Sequence, residues 1–156
     1  MNIERKTLPE QHYIYVDRVS SLSGAEIGAA MASGFGEVFA FAMQNGVKPL
    51  AMPMSIYLQM PSDNKMAFRA AVLVSAEDAK RAAGQVKAGV MPAGEVYMTT
   101  HVGSYASLNQ THKAMWDEMT AQGISKTMPV WEIYIDDPQT TPEDKLRTEI
   151  YRAVGS

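Results

Sequence analysis

Cysteine is absent from the 156 residues of this chain. Without thiols the protein can form no disulfide framework, no thiolate metal site and no cysteine nucleophile, and nothing indicates an oxidising compartment. Basic residues form no cluster longer than a pair such as Lys80-Arg81, and the formal net charge is -3. Direct binding to nucleic acid is therefore disfavoured, because it requires many basic side chains to neutralise phosphates.

Long apolar runs are also missing. The most apolar stretch, residues 28–42, is interrupted by Ser33, two glycines and Glu37, which is too polar for a membrane span. Three of the first six residues are charged, and the segment leads toward a strand rather than an apolar signal segment, so we expect a cytoplasmic location and no membrane partner. With 46% hydrophobic and 20% charged residues, residues 1–156 are predicted to form one soluble globular domain.

Common catalytic motifs do not occur. The chain has no H-E-x-x-H, P-loop or G-x-S-x-G sequence, which removes the standard nucleotide and serine-hydrolase interpretations. The three histidines, His12, His101 and His112, are scattered, and His112 falls on an apolar helix stripe. We therefore expect neither a metal site nor a cofactor.

Strand and helix signals follow one another in the order β-α-β-β in the first half of the chain. Ser23 and Glu26 have the spacing of a capping box, which predicts a helix start. The predicted elements are a strand at 13–19, a helix from Ser23 to Asn45, and strands at 54–60 and 67–74. Residues 75–93 lack a deep apolar stripe and are predicted to be a linker with one short helix.

The same order returns in the second half. The helix end, glycine, proline-containing loop and Ile-Tyr strand between Gln44 and Tyr57 recur with the same spacing between Ala121 and Tyr134. We therefore predict an α+β fold of duplicated β-α-β-β units with pseudo-twofold symmetry, with repeat 1 at about 1–74 and repeat 2 at about 94–156. Helices would cover one side of antiparallel sheets and leave the opposite face as a concave ligand cleft.

Glu132 is the most informative candidate residue, because it lies inside a predicted strand where apolar or β-branched residues are usual. Strand alternation places Glu132 and Tyr134 on one face and Trp131 on the other. On an open face, a carboxylate among aromatic rings would attract a cation through its charge and through the ring faces. The alternative is a solvated glutamate on a half-exposed sheet.

The second half of the sequence resembles the GyrI-like small-molecule-binding family, whose domain is also the effector-binding module of many AraC- and MerR-type regulators. The resemblance rests on the stretches Pro129–Pro138 (PVWEIYIDDP), Thr141–Tyr151 (TPEDKLRTEIY), Pro92-Ala93-Gly94 and His101–Tyr105 (HVGSY). The first half matches mainly in its order of elements. The chain is most similar to stand-alone members, because no helix-turn-helix sequence precedes its first strand.

The resemblance implies a central cleft that binds amphipathic, often cationic aromatic molecules. Glu132 would supply the counter-charge, and the cleft walls would be formed by Tyr134, Tyr97, Tyr57 and, despite its opposite face, Trp131. Ser55 occupies the position of Glu132 in the first repeat, which leaves one central acid.

Two alternatives follow from the same family. One is hydrolysis of strained electrophilic molecules by Glu132 and Tyr134, so whether the chain is an enzyme stays open. The other is interaction with DNA gyrase or with a transcription regulator.

Overall fold

The computed structural model describes residues 2–124 and 128–154. The remaining residues, which include both ends of the domain expected at 1–156, lie outside the described residues. The elements follow the order β1 (Glu4–Leu8), β2 (Gln11–Ser21), α1 (Gly24–Gln44), β3 (Met54–Tyr57), β4 (Lys65–Val74), α2 (Ala76–Ala79), β5 (Lys87–Met91), β6 (Gly94–Val102), a 3₁₀ turn (Tyr105–Ser107), α3 (Leu108–Ala121), β7 (Val130–Tyr134), a second 3₁₀ turn (Glu143–Lys145) and β8 (Arg147–Ala153).

These strands form one antiparallel sheet in the order β1-β6-β8-β7-β3-β4-β2-β5. At its centre β3 pairs with β7, and Ser55 lies directly opposite Glu132. From this pair outward the order is β7-β8-β6 on one side and β3-β4-β2 on the other. The duplicated β-α-β-β unit predicted from the sequence is confirmed, and its two copies meet at the Ser55–Glu132 pair.

The two edge strands are exchanged between the halves, which the sequence did not predict. β1 lies at the start of the first half but pairs with β6 in the second, while β5 directly precedes the second half but pairs with β2 in the first. β5 lies inside the segment 75–93 that was expected to be a linker. Lys87, Ala88 and Gly89 have little intrinsic strand preference, so pairing with β2 decides their conformation. A Cβ on Gly89 would lie 2.4 Å from Cζ of Tyr13, so only glycine allows this close approach.

Both faces of the sheet are packed. α1 covers β2 and β4 with an apolar cluster, and α3 covers β6 and β8 with a cluster built on Met115 and Met119. The opposite face, which was expected to be open, carries a third apolar cluster. In this cluster Leu8 of edge strand β1 and Met91 of edge strand β5 pack with Trp131 of the central strand β7. The sheet therefore curls around this cluster, and the expected open face is filled.

Two local predictions need correction. α1 begins at Gly24 as expected, but the Ser23 side chain makes no capping hydrogen bond, and Glu26 accepts a hydrogen bond from Ser21 instead. β3 ends at Tyr57, three residues before the predicted end at 60. Within residues 2–124 and 128–154, no helix is long and apolar enough to cross a membrane.

The contact between α1 and β4 yields a test of the packing. A Cβ on Gly34 would lie 2.5 Å from Cβ of Ala70, so Gly34→Ala must push the helix away from the sheet. We expect it to lower the free energy of unfolding by about 1–3 kcal/mol. The matched control is Gly36→Ala in the same helix, because that Cβ has nothing within 4 Å. The control should raise stability by up to about 1 kcal/mol through helix propensity. Urea unfolding measures both, and equal stability of the two variants would contradict this packing.

Candidate functional site

The central strand pair brings polar side chains together on the face that carries the helices. Glu132 and Tyr134 lie on β7, and Ser55 and Tyr57 lie on the same face of β3. Glu132 is only 4% exposed, and Ser55 is fully buried. An ionised carboxylate at this depth must be compensated by hydrogen bonds or by an opposite charge.

One carboxylate oxygen of Glu132 is held by tyrosines. The Tyr134 hydroxyl donates to Oε1 at 2.6 Å, and the Tyr57 hydroxyl lies 3.5 Å from the same atom. The Tyr134 and Ser55 hydroxyls are 3.0 Å apart, and because Tyr134 gives its single proton to Glu132, Ser55 is the donor in that contact. Burial and then the charge of Glu132 hold the pKa of Tyr134 and of Tyr57 well above the usual 10. Both phenols therefore remain hydrogen-bond donors at neutral pH.

The other oxygen of Glu132 is held by a histidine. Nε2 of His112 on α3 lies 2.5 Å from Oε2, and Nδ1 of the same ring lies 2.9 Å from Nη2 of Arg152 on β8. A guanidinium has only donors, so Nδ1 must accept and the ring proton must be on Nε2, from which it is donated to Glu132. A carboxylate, a neutral imidazole and a guanidinium thus form a continuous chain.

Aromatic rings close the site from above the sheet. The ring of Phe35 on α1 lies 5.8 Å from that of Tyr134, and the ring of Tyr105 from the 3₁₀ turn lies 5.5 Å from it with an edge-to-face tilt. Sδ of Met31 is 3.8 Å from the Tyr134 hydroxyl. Glu132 therefore lies between α1 and α3 on the helix-bearing face, enclosed by side chains, and not on the open opposite face considered from the sequence.

The predicted site residues divide into three groups. Glu132, Tyr134 and Tyr57 are in contact with one another. Tyr97 lies on the same face but packs in the α3 cluster, with its hydroxyl 3.5 Å from Gln122 Oε1. Trp131 points to the opposite face and stacks on Tyr151 at 5.4 Å between ring centroids, so it does not form a wall beside Glu132.

Sequence analysis missed two polar members of the site. His112 was noted only as a histidine on an apolar stripe, and Arg152 was not singled out. The available signal for Arg152 was strand alternation, because it lies two residues after Ile150 and therefore on the same buried face. Among residues 2–124 and 128–154, no group of three or more histidine or acidic side chains could hold a metal ion.

Comparison with known proteins identifies the family. The model of the GyrI-like small molecule binding domain matches residues 1–154. The chain belongs to this family. It is therefore a small-molecule-binding domain, and its curled antiparallel sheet with flanking helices is the GyrI-like fold. No curated protein sequence matches it significantly.

Solved structures share the GyrI-like fold at low sequence identity. The EcmrR C-terminal domain is 19% identical with a TM-score of 0.83, and the match covers 99% of this chain and 98% of that domain. SAV2435 bound to tetraphenylphosphonium is 17% identical with a TM-score of 0.66, covering 100% and 95%. A hydrolase from Listeria innocua is 17% identical with a TM-score of 0.66, covering 98% and 91%.

The buried Tyr134–Glu132 hydrogen bond should contribute measurably to stability. Tyr134→Phe removes the closest donor to Oε1, so we expect the free energy of unfolding to fall by about 1.5–3 kcal/mol. Tyr151→Phe is the matched control, because Tyr151 also donates to a glutamate two residues earlier, Glu149, at 2.9 Å but in a half-buried position. The control should lose only about 0.5–1 kcal/mol. Equal losses in urea unfolding would refute a special role for the buried pair.

Proposed function

We propose that this GyrI-like domain binds small amphipathic, cationic aromatic molecules at the site centred on Glu132. The observation that carries the proposal is a buried carboxylate, 4% exposed, with the hydroxyls of two tyrosines on one of its oxygens. A negative charge with aromatic side chains attracts an organic cation through both the charge and the ring faces.

The side chains around Glu132 suit an amphipathic ligand. Phe35, Tyr105 and Met31 surround Tyr134 with apolar and polarisable groups, which suit the aromatic part of such a molecule. Because these side chains and His112 enclose Glu132, the ligand must separate them to reach the carboxylate. Met31 and Phe35 belong to the middle of α1, Tyr105 to the first 3₁₀ turn and His112 to α3.

The comparisons support the same class of ligand. One protein of this fold, SAV2435, is described as bound to tetraphenylphosphonium, a lipophilic aromatic cation. Another, the EcmrR C-terminal domain, belongs to a protein that also occurs in a complex with DNA. A partnership of this chain with a transcription regulator or with DNA gyrase stays a prediction.

A titration with two ions of the same shape and opposite charge tests the cation preference. Tetraphenylphosphonium and tetraphenylborate, the latter in potassium-free buffer, are added to wild-type protein and to Glu132→Gln, and heat or tryptophan fluorescence is recorded. We expect saturable binding of the phosphonium that weakens at least about tenfold in the variant, which is about 1.4 kcal/mol of binding free energy. Glu10→Gln, which makes the same substitution at an exposed glutamate between β1 and β2, should leave the affinity unchanged.

Two results would contradict the proposal. Absence of phosphonium binding by the wild-type protein is one. The other is equal affinity of wild type and Glu132→Gln for the phosphonium, because the carboxylate would then not be the counter-charge.

A second candidate function is hydrolysis of a strained-ring electrophile, and one observation favours it. Glu132 contacts a neutral imidazole at 2.5 Å and a protonated phenol at 2.6 Å, which is a set of groups suited to general acid–base chemistry. In such a reaction a water oxygen bonds to a ring carbon of an epoxide as the carbon–oxygen bond breaks. Glu132 would take the water proton, and Tyr134 would donate its proton to the ring oxygen. A protein of this fold is described as a hydrolase.

Styrene oxide is a suitable probe for this second function. We expect diol formation above the uncatalysed rate that falls by at least about a hundredfold in Glu132→Gln and in Tyr134→Phe, the scale of general acid–base catalysis. Gas chromatography of the diol measures the rate. A rate equal to the buffer blank, or unchanged rates in both variants, removes hydrolysis and leaves binding alone.

A further inference from the structure

A second charged side chain is buried beside Glu132 and is not explained by ligand binding alone. Arg152 on β8 is 1% exposed. Its guanidinium carbon lies 3.4 Å from the ring centroid of Trp116 on α3, so the cation rests on the face of the indole. Through His112 it is connected to Glu132. This is the environment that a cationic ligand requires, an aromatic face with a carboxylate nearby, and a cation of the protein already occupies it.

The guanidinium is held loosely by hydrogen bonds. Nη2 contacts Nδ1 of His112 at 2.9 Å and its carbonyl oxygen at 3.4 Å. Within residues 2–124 and 128–154, Nε and Nη1 of Arg152 have no hydrogen-bond partner although both are buried. Arginine has five N–H donors, and leaving three of them unsatisfied in the interior costs free energy. Burial of Arg152 therefore carries an energetic penalty.

The fold itself does not need a charge at this position. Arg152 lies two residues after Ile150, which is opposite Glu132, and Val72 lies two residues after Ala70, which is opposite Ser55. Val72 is fully buried and apolar. The same place in the first half of the sheet is thus filled by a hydrophobic residue, so packing alone does not account for an arginine in the second half.

We propose that Arg152 is an internal counter-cation that an incoming cationic ligand must displace from Trp116 and Glu132, so that Arg152 sets the affinity and charge selectivity of the site. The proposal rests on the proposed cation-binding function. Burial lowers the pKa of Arg152 to about 10, although the charge of Glu132 acts to raise it, so the side chain carries its positive charge at neutral pH. A ligand cation placed beside it is repelled, and binding is favourable only when the gain from its rings and charge exceeds the loss of the Arg152 contacts.

The central experiment removes the internal cation. Tetraphenylphosphonium binding is measured by calorimetry for wild type, Arg152→Met and Arg152→Lys at one pH and one ionic strength. We expect Arg152→Met to bind the phosphonium at least about tenfold more tightly and tetraphenylborate more weakly, from the loss of one repelling charge at close range. Arg152→Lys, which keeps the charge, should stay closer to wild type.

A second arginine on the same strand is the control for net charge. Arg147 is half exposed and pairs with Asp136 at 2.9 Å, and strand alternation places it on the face of β8 opposite to Arg152. Arg147→Met changes the net charge of the protein by the same amount as Arg152→Met. It should leave the phosphonium affinity unchanged, and an equal gain in both variants would mean that only the overall charge matters, which overturns the proposal.

A measurement on the wild-type protein covers the case in which Arg152→Met does not fold. With ¹⁵N-labelled arginine, the Nε–Hε resonance that is lost in Arg152→Lys belongs to Arg152. Saturation with phosphonium should shift this resonance or increase its exchange with water, since the guanidinium leaves the indole face. Binding of phosphonium without any change in the resonance overturns the displacement.

The outcomes separate this inference from the function on which it rests. If neither wild type nor any Arg152 variant binds phosphonium, the proposed function fails and this inference fails with it. If wild type binds, Glu132→Gln weakens binding, and Arg152→Met has unchanged or lower affinity, the function stands and the role of Arg152 is overturned. Binding that is detectable only in Arg152→Met contradicts the proposed function, because the wild-type protein does not then bind the cation, and this inference fails with it.

Discussion

The negative charge of Glu132 stands at the centre of the sheet, where water does not reach it. Such a charge is costly unless partners replace the water, and here the partners come from three different elements. β3 supplies Tyr57, α3 supplies His112, and β8 supplies Arg152 behind it. Because these elements belong to both halves of the chain, the partners of this one charge connect α3 with the sheet and one half with the other.

The site is built by departing from the symmetry of the fold. The two halves have the same strand order, and the strand register makes Ser55 and Glu132 equivalent. Phe35 and His112 are also equivalent, because each lies 11 residues before the glycine that follows its helix, Gly46 or Gly123. Corresponding positions hold Ser55, Phe35 and Val72 in the first half and Glu132, His112 and Arg152 in the second. The first set is small or apolar and extends the core, whereas the second set places an acid, an imidazole and a guanidinium in line.

The fold could be predicted from the sequence because it depends on the spacing of apolar residues along the strands and helices. Alternation and helical periodicity identify each face, and the repeated spacing up to Tyr57 and Tyr134 reveals the duplication. The strand β5 was not predicted, because its residues form a strand only by pairing with β2. The roles of His112 and Arg152 beside Glu132 were also not predicted. Strand alternation and helical periodicity give the face on which a side chain lies, but they do not give the atom that it contacts on another element.

A site whose negative charge is compensated by the protein itself differs physically from an open acidic pocket. In an open pocket, water solvates the carboxylate, and a ligand competes with water. Here the ligand competes with the protein's own Arg152. Three of its N–H groups have no partner among residues 2–124 and 128–154, which makes the closed state less stable than its contacts suggest. Part of that penalty is recovered when the guanidinium reaches solvent. The cost of opening the site is thereby reduced while small, weakly aromatic cations remain excluded, since they cannot replace the contact between Arg152 and Trp116.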